Sequence, residues 1–364
     1  MMDTSRAAVT LIVNKLLEEG LIFEGATGEA ERGRKPTFLY IDSRQRYTIA
    51  VDIRATRTFL LVSDLMGKQL ADISSFPTNK DVNQFVVDLA ERVKQLVAEY
   101  GGAASCEGLG VIVPGIIHKS TGRVLNAPTL GWRDLNLLDP LIEATGLSVH
   151  IENSGKACAL AQVWATRNDG PHTGDIVFVS VSDGVGVGVV VNGELLRGKH
   201  NIAGEFAHVP LNIDGPRCSC GATGCWEAYV SNLATLSRYF GRDLREQKPQ
   251  SVETANFTVQ DLIARARTGD GKAIAALQST ARYLGLGLAS IINAIDPGCL
   301  YLSGEITTAW DLIEANVRAA FAERALTEMV DKTEIKIVPV EEYPRLRGAA
   351  ALVAAPAFAA PMVA

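Results

Sequence analysis

The chain has 364 residues, 47% hydrophobic and 21% charged, with a formal net charge of −6. This is ordinary globular composition, long enough for two or three compact units, and it excludes a global basic field, so any nucleic-acid contact must come from a local patch. No cationic leader followed by an apolar stretch opens the sequence and no apolar run of roughly 18 residues occurs, so a cytoplasmic protein without a membrane span is expected.

In chain order, residues 5–20 (SRAAVTLIVNKLLEEG) predict an amphipathic helix. Ser5 is its N-cap, Val9, Ile12, Val13, Leu16 and Leu17 form one apolar face, and Gly20 stops it. A strand, a basic turn at Gly33-Arg34-Lys35-Pro36 and a second strand follow, the layout of a helix with a β-wing. From Tyr47 the segments YTIAVDI, TRTFLLVSD and KQLADISS read as a meander. A helix from Asn83 to Tyr100 and a buried strand over Leu109–Val113 come next. The segment LSVHIEN is a strand, Gly155 to Thr166 a helix, and DIVFVSVSDGVGVGVVVNGELL a glycine-rich hairpin. Residues from Val230 to about Leu326 read as mostly helical, interrupted by the strand CLYLSGEI. KIVPV is a last strand before an alanine-rich helix and a loose tail broken by Pro356 and Pro361. A βββαβα half followed by a second α/β half predicts an α/β, two-lobed fold with a cleft between the lobes.

Of six cysteines, Cys218, Cys220 and Cys225 fall within eight residues, whereas Cys106, Cys158 and Cys299 are scattered among apolar neighbours and read as small core residues. Three thiolates with one imidazole make a closed tetrahedral set suited to zinc, and four protein ligands leave no open position, so the metal is expected to be structural. By spacing alone, His200 and His208 both qualify as the fourth ligand.

GEFAH followed by CSCGATGCWE resembles the zinc signature of the ROK family (repressors, open reading frames and kinases). The resemblance runs from about Tyr47 to the end, through Pro114-Gly115, Asn126-Ala-Pro-Thr-Leu-Gly-Trp132, Ile-Glu-Asn153 and Asp183-Gly-Val-Gly186-Val-Gly188. It implies an actin-like, hexokinase-like (ribonuclease H-like) fold with a sugar in the interlobe cleft. Carried over by position, the family's sugar contacts fall on Asn126, Asn153, Glu205, His208 and Glu227. Because the family's zinc histidine also faces the sugar, the resemblance selects His208 over His200. Carboxylates and amides supply the directional donors and acceptors that a polyhydroxyl ring requires.

Two departures bear on catalysis. The family's kinases carry an aspartate general base after the asparagine that is Asn153 here; this chain has Ser154, whose hydroxyl has no useful basicity near neutral pH. Their first hairpin reads Asp-x-Gly-x-Thr, and this chain reads Asp52-Ile-Arg54-Ala-Thr56, with a side chain where backbone must approach phosphate. Near the adenosine position, Leu302-Ser303-Gly304-Glu305 keeps one of the usual two glycines. No catalytic residue is therefore expected.

The amino-terminal element resembles the recognition helix and wing of ROK repressors. In that reading Ser5, Arg6, Ala7, Thr10 and Asn14 approach bases or phosphates from the helix, and Arg32, Arg34 and Lys35 contact backbone or minor groove from the wing. The family's winged helix-turn-helix carries two helices before its recognition helix, so the unit read here is a partial one. The expected organisation is a partial winged helix-turn-helix over 1–42, a small lobe of 43–155 with 342–364, and a large lobe over 156–341 with the zinc loop. The expected function is a sugar-responsive transcriptional regulator that binds operator DNA and a sugar or sugar phosphate effector as a homodimer or homotetramer. A sugar kinase with atypical residues and a sugar sensor acting through a protein partner are the alternatives.

Overall fold

A computed structural model describes the chain except residues 1–4, 21, 29–34, 36, 43–44, 167–174, 245–255, 328–332 and 359–364. Helix α1 (Arg6–Glu18) is followed by β1 (Ile22–Thr27) and β2 (Thr37–Ile41), an antiparallel pair forming its own two-stranded sheet. Ser5 caps α1 by accepting a hydrogen bond from the Ala8 N–H at 3.3 Å. The expected apolar face of α1 is only partly covered, since Val9 and Ile12 stay exposed.

The body holds two five-stranded sheets. The first is built from β3 (Tyr47–Ile53), β4 (Arg57–Asp64), β5 (Ser74–Pro77), β6 (Cys106–Val113) and β10 (Val149–Asn153), with α2 (Val82–Glu99) between β5 and β6. A small sheet of β7 (Ile116–Ile117), β8 (Arg123–Ala127) and β9 (Trp132–Asn136), then α3 (Leu138–Thr145), lies between β6 and β10. After α4 (Ser154–Thr166) the second sheet contains β11 (Ile176–Val181), β12 (Val185–Val191), β13 (Glu194–Leu195), β14 (Cys299–Gly304) and β15 (Glu334–Ile337). Its helices are α5 (Glu227–Val230), α6 (Asn232–Phe240), α7 (Val259–Arg267), α8 (Gly271–Ile295) and α9 (Trp310–Ala322), and α10 (Pro344–Phe358) closes the described chain.

Both sheets share one strand order: third, second, first, fourth, fifth, with the first three antiparallel and the rest parallel to the first. The order reverses beside β3 in one sheet and beside β11 in the other. Open α/β sheets bind ligands at the carboxyl ends of strands at such reversals. Each sheet also buries its own apolar cluster, one around Phe85, Leu109 and Val111, the other around Val179, Leu288 and Leu302.

Helices α4 and α10 pack on each other between the sheets, with Ala157, Leu346 and Ala349 in a cluster against Ala50 and Ile112. Helix α4 also packs closely on β12, where a Cβ on Gly188 would stand 2.3 Å from the Gly155 carbonyl oxygen. The glycine hairpin over β11 and β12 thus serves helix–strand packing.

Three local readings shift. The third meander strand lies at 74–77 rather than 68–75; after a turn in which Asp64 Oδ1 accepts from the Met66 and Lys68 N–H groups, Gln69 makes only an isolated bridge to Ser63. The helix read from Gly155 begins at Ser154. Cys158 and Cys299 are buried as expected, whereas Cys106 is half-exposed. Among the described residues, no helix is long and apolar enough to cross a membrane.

Candidate functional site

The strand ends converge on one cleft with about 890 Å³ of open space. Arg54 follows β3, Gly115 follows β6, Asn153 ends β10, and Ser182 to Gly184 form the turn after β11; all line the cleft. Asn126, Glu205, His208 and Glu227 line it too, so the structure brings together every sugar contact expected from the sequence.

At one end stand His208, Cys218, Cys220 and Cys225, each offering one ligand atom within 4.8 Å of all the others. Cys220 Sγ and Cys225 Sγ are 3.7 Å apart, as are Cys218 Sγ and His208 Nδ1. Tetrahedral zinc, with bonds of about 2.3 Å to sulfur and about 2.0–2.1 Å to nitrogen, needs neighbouring donors roughly 3.5–3.8 Å apart, so this set fits the ion. Burial and the adjoining thiols push the Cys225 thiol up to about 12; a bound cation would favour the thiolate. His200 is exposed and outside the cluster. The loop closes through Gly224, at φ +74, where a Cβ would stand 1.6 Å from the Asn212 carbonyl oxygen.

Glu227 is buried beside this cluster. Its Oε1 accepts from Ser219 Oγ at 2.6 Å and from the Cys218 thiol at 3.3 Å, and its Oε2 accepts from the Val185 N–H at 2.9 Å. The metal loop and the β11–β12 turn therefore fix one carboxylate together. Burial raises the Glu205 carboxyl above its ordinary value, opposed by Lys156 and His208. Asn153 is more committed than its sequence position implies. Its amide donates to the Gly115 carbonyl at 2.9 Å, and its Oδ1 caps α4 by accepting from the Gly155 and Lys156 N–H groups.

The opposite end differs. Ser154 lines the cleft at the start of α4. Asp52, fully buried, is gripped by Arg345 from α10, with Nη2 2.6 Å from Oδ1 and Nε 2.9 Å from Oδ2. Arg54 Nε adds a third contact at 2.8 Å and its guanidinium lies over the Phe59 ring. Burial alone would raise Asp52, but the two guanidiniums outweigh it and hold the carboxyl below its usual value. Sequence reading missed Arg345, which lies 293 positions from Asp52. The available signal was Pro344, a helix-starting residue that places Arg345 in a first turn.

In the amino-terminal element Ser5, Ala7, Thr10, Asn14 and Lys35 are exposed. Ser5 is also the helix cap. The Arg6 side chain, Arg32 and Arg34 lie outside the described residues.

Two sheets of one topology around a sugar-kinase type of cleft, with a four-donor metal cluster at its rim, define the class. A model of the ROK family matches residues 48–355, and the chain belongs to that family. The xylose repressor of Bacillus subtilis is 28% identical over 348 residues, covering 92% of this chain and 84% of the relative. Among solved structures, a ROK family transcriptional regulator described as a homolog of the E. coli MLC protein superposes with a TM-score of 0.76 at 24% identity, over 96% of this chain and 89% of that one. A ROK family glucokinase from Streptomyces griseus, solved with glucose and AMPPNP, superposes with a TM-score of 0.72 at 26% identity, over 84% of this chain and 98% of that one.

Proposed function

We propose that the chain is a sugar-responsive transcriptional regulator, a repressor that holds a sugar or sugar derivative in its cleft and carries out no phosphotransfer. The observation that carries this reading is the asymmetry of the cleft. Carboxylates and an imidazole face open space at the metal end, while the carboxylate at the phosphate end is consumed by Arg345 and Arg54 and no base stands at Ser154. Likeness to a xylose repressor and to a regulator of the same fold supports it.

Asn126, Glu205, His208 and Glu227 bind the sugar hydroxyls, and Asn153 shapes the floor through its cap. His208, Cys218, Cys220 and Cys225 would hold zinc, which would supply a rigid tetrahedral anchor. These ligands orient the His208 ring and the loop bearing Glu227. The helix positions Ser5, Arg6, Ala7, Thr10 and Asn14, with Arg34 and Lys35 of the wing, contact operator DNA. The protein acts as a homodimer or homotetramer, whose symmetry a palindromic operator mirrors. The working division is 1–42 for DNA, 43–155 with 342–364 for the small lobe and 156–341 for the large lobe. Sugar shifts operator affinity only through unequal binding to two lobe arrangements, a coupling of about 1–3 kcal/mol in typical cases.

Fluorescence anisotropy on labelled promoter DNA, titrated with pentoses and hexoses, tests this. The expected result is sequence-specific binding that one sugar shifts. Weak, sequence-independent binding unmoved by every sugar contradicts it.

A further inference from the structure

Lys156, in the first turn of α4, is 1% exposed. Its ammonium donates to the Asn201 carbonyl oxygen at 2.5 Å and stands 3.9 Å from Glu205 Oε1. The segment from Arg197 to Glu205 is also fastened to β10 of the first sheet and to β7 of the small sheet. Arg197 pairs with Glu152 at the end of β10, and Asn201 Nδ2 donates to the Ile117 carbonyl oxygen at 2.8 Å and to Glu152 Oε1 at 3.4 Å. Of these groups, Lys156 is the one that reaches Glu205.

A buried ammonium costs several kcal/mol unless its partners compensate. Burial lowers Lys156, and the Glu205 and Glu152 carboxylates pull it back. A methionine would fill the same space without that cost, so the charge is what distinguishes lysine here. The carboxylate it meets lines the cleft.

We propose that Lys156 is a positioning residue for the effector site: from inside the core its ammonium holds Glu205 and the 197–205 segment in the arrangement that receives sugar hydroxyls. This rests on the cleft being a sugar site. Lys156 itself touches no ligand. It joins the first turn of α4, beside Asn153 and Ser154, to the chain that continues into the metal ligand His208.

Calorimetry with D-xylose and D-glucose on the full chain, comparing the parent with Lys156→Met, Lys156→Arg, Glu205→Gln and the Lys156→Met/Glu205→Gln pair, tests it. Losing a charge-assisted contact predicts about tenfold or greater loss of affinity in Lys156→Met. Lys156→Arg recovers most of that loss, and the paired variant binds no more weakly than Glu205→Gln alone. Parent-like affinity in Lys156→Met, or losses that simply add in the pair, overturns the proposal. If Lys156→Met does not fold, Lys156→Gln carries the same comparison.

Hydrogen exchange without sugar gives an independent arm. Amides of residues 197–205 are expected to exchange several-fold faster in Lys156→Met while strand 299–304 is unchanged. Equal exchange at 197–205 overturns the proposal. Failure of the parent to bind either sugar removes these two as effectors, and the exchange arm then decides the positioning role alone.

Discussion

The carboxylates near the two ends of the cleft stand in opposite situations. At the metal end Glu227 and Glu205 are fixed from behind, by Ser219, Val185 and Lys156, and still face open space. At the phosphate end Asp52 has no exposed surface, and its lone pairs are consumed by Arg345 and Arg54. A carboxylate that borders the cleft and accepts from neutral donors keeps a face for a ligand, whereas one held by two arginines in the core has become structural. On the proposed reading recognition and transfer separate along one cleft: the groups that would meet a hydroxylated ring border its open space, and Asp52 is internally paired.

Five perturbations break or sharpen this contrast, from the largest expected effect downward. Arg345→Met leaves Asp52 buried with one partner and should cost about 3–5 kcal/mol of stability, read from denaturant melts. Its pH signature follows from the direction of the Asp52 shift. A carboxyl held below its ordinary value stabilises the fold above the unfolded value near ~3.9 and loses that contribution as pH falls through its folded value. The parent's acid limb should flatten in Asp52→Asn; identical limbs would show that the pair contributes nothing. Next, removing metal with a chelator should loosen residues 218–225 and lower sugar affinity together, while metal analysis of fresh protein finds about one zinc per chain. Well under one equivalent would remove the clamp from the account.

Glu227→Ala should weaken sugar binding by about 1.5–3 kcal/mol, the worth of hydrogen bonds to a charged group, with a smaller change in melting temperature. Unchanged heats of binding would place the ring elsewhere. Smallest is Ser154→Asp. Restoring a carboxylate beside Asn153 should yield no sugar phosphate, because Asp52 remains paired; turnover in this single variant would show that the arginine pairing is no obstacle.

The metal cluster was legible because its donors lie close in sequence, from His208 to Cys225, and spacing of ligand types carries chemistry, whereas the cleft residues Asn126, Asn153, Glu205 and Glu227 were marked by the family resemblance. The paired halves were legible from hydrophobic periodicity. What stayed hidden depends on the fold: Asp52 meets Arg345 only after α10 crosses between the sheets, and Lys156 meets Glu205 only after α4 packs beside the 197–205 segment. Arg54 illustrates the difference. By sequence it obstructs a phosphate loop; in the structure it also pairs with Asp52 and stacks on Phe59.

The most direct test of the separation is to incubate the pure protein with ATP, magnesium and the sugar that binds it, measuring saturable binding by calorimetry and products by mass spectrometry. Stoichiometric binding with no sugar phosphate is the predicted result. Catalytic accumulation of a phosphorylated sugar would contradict the account.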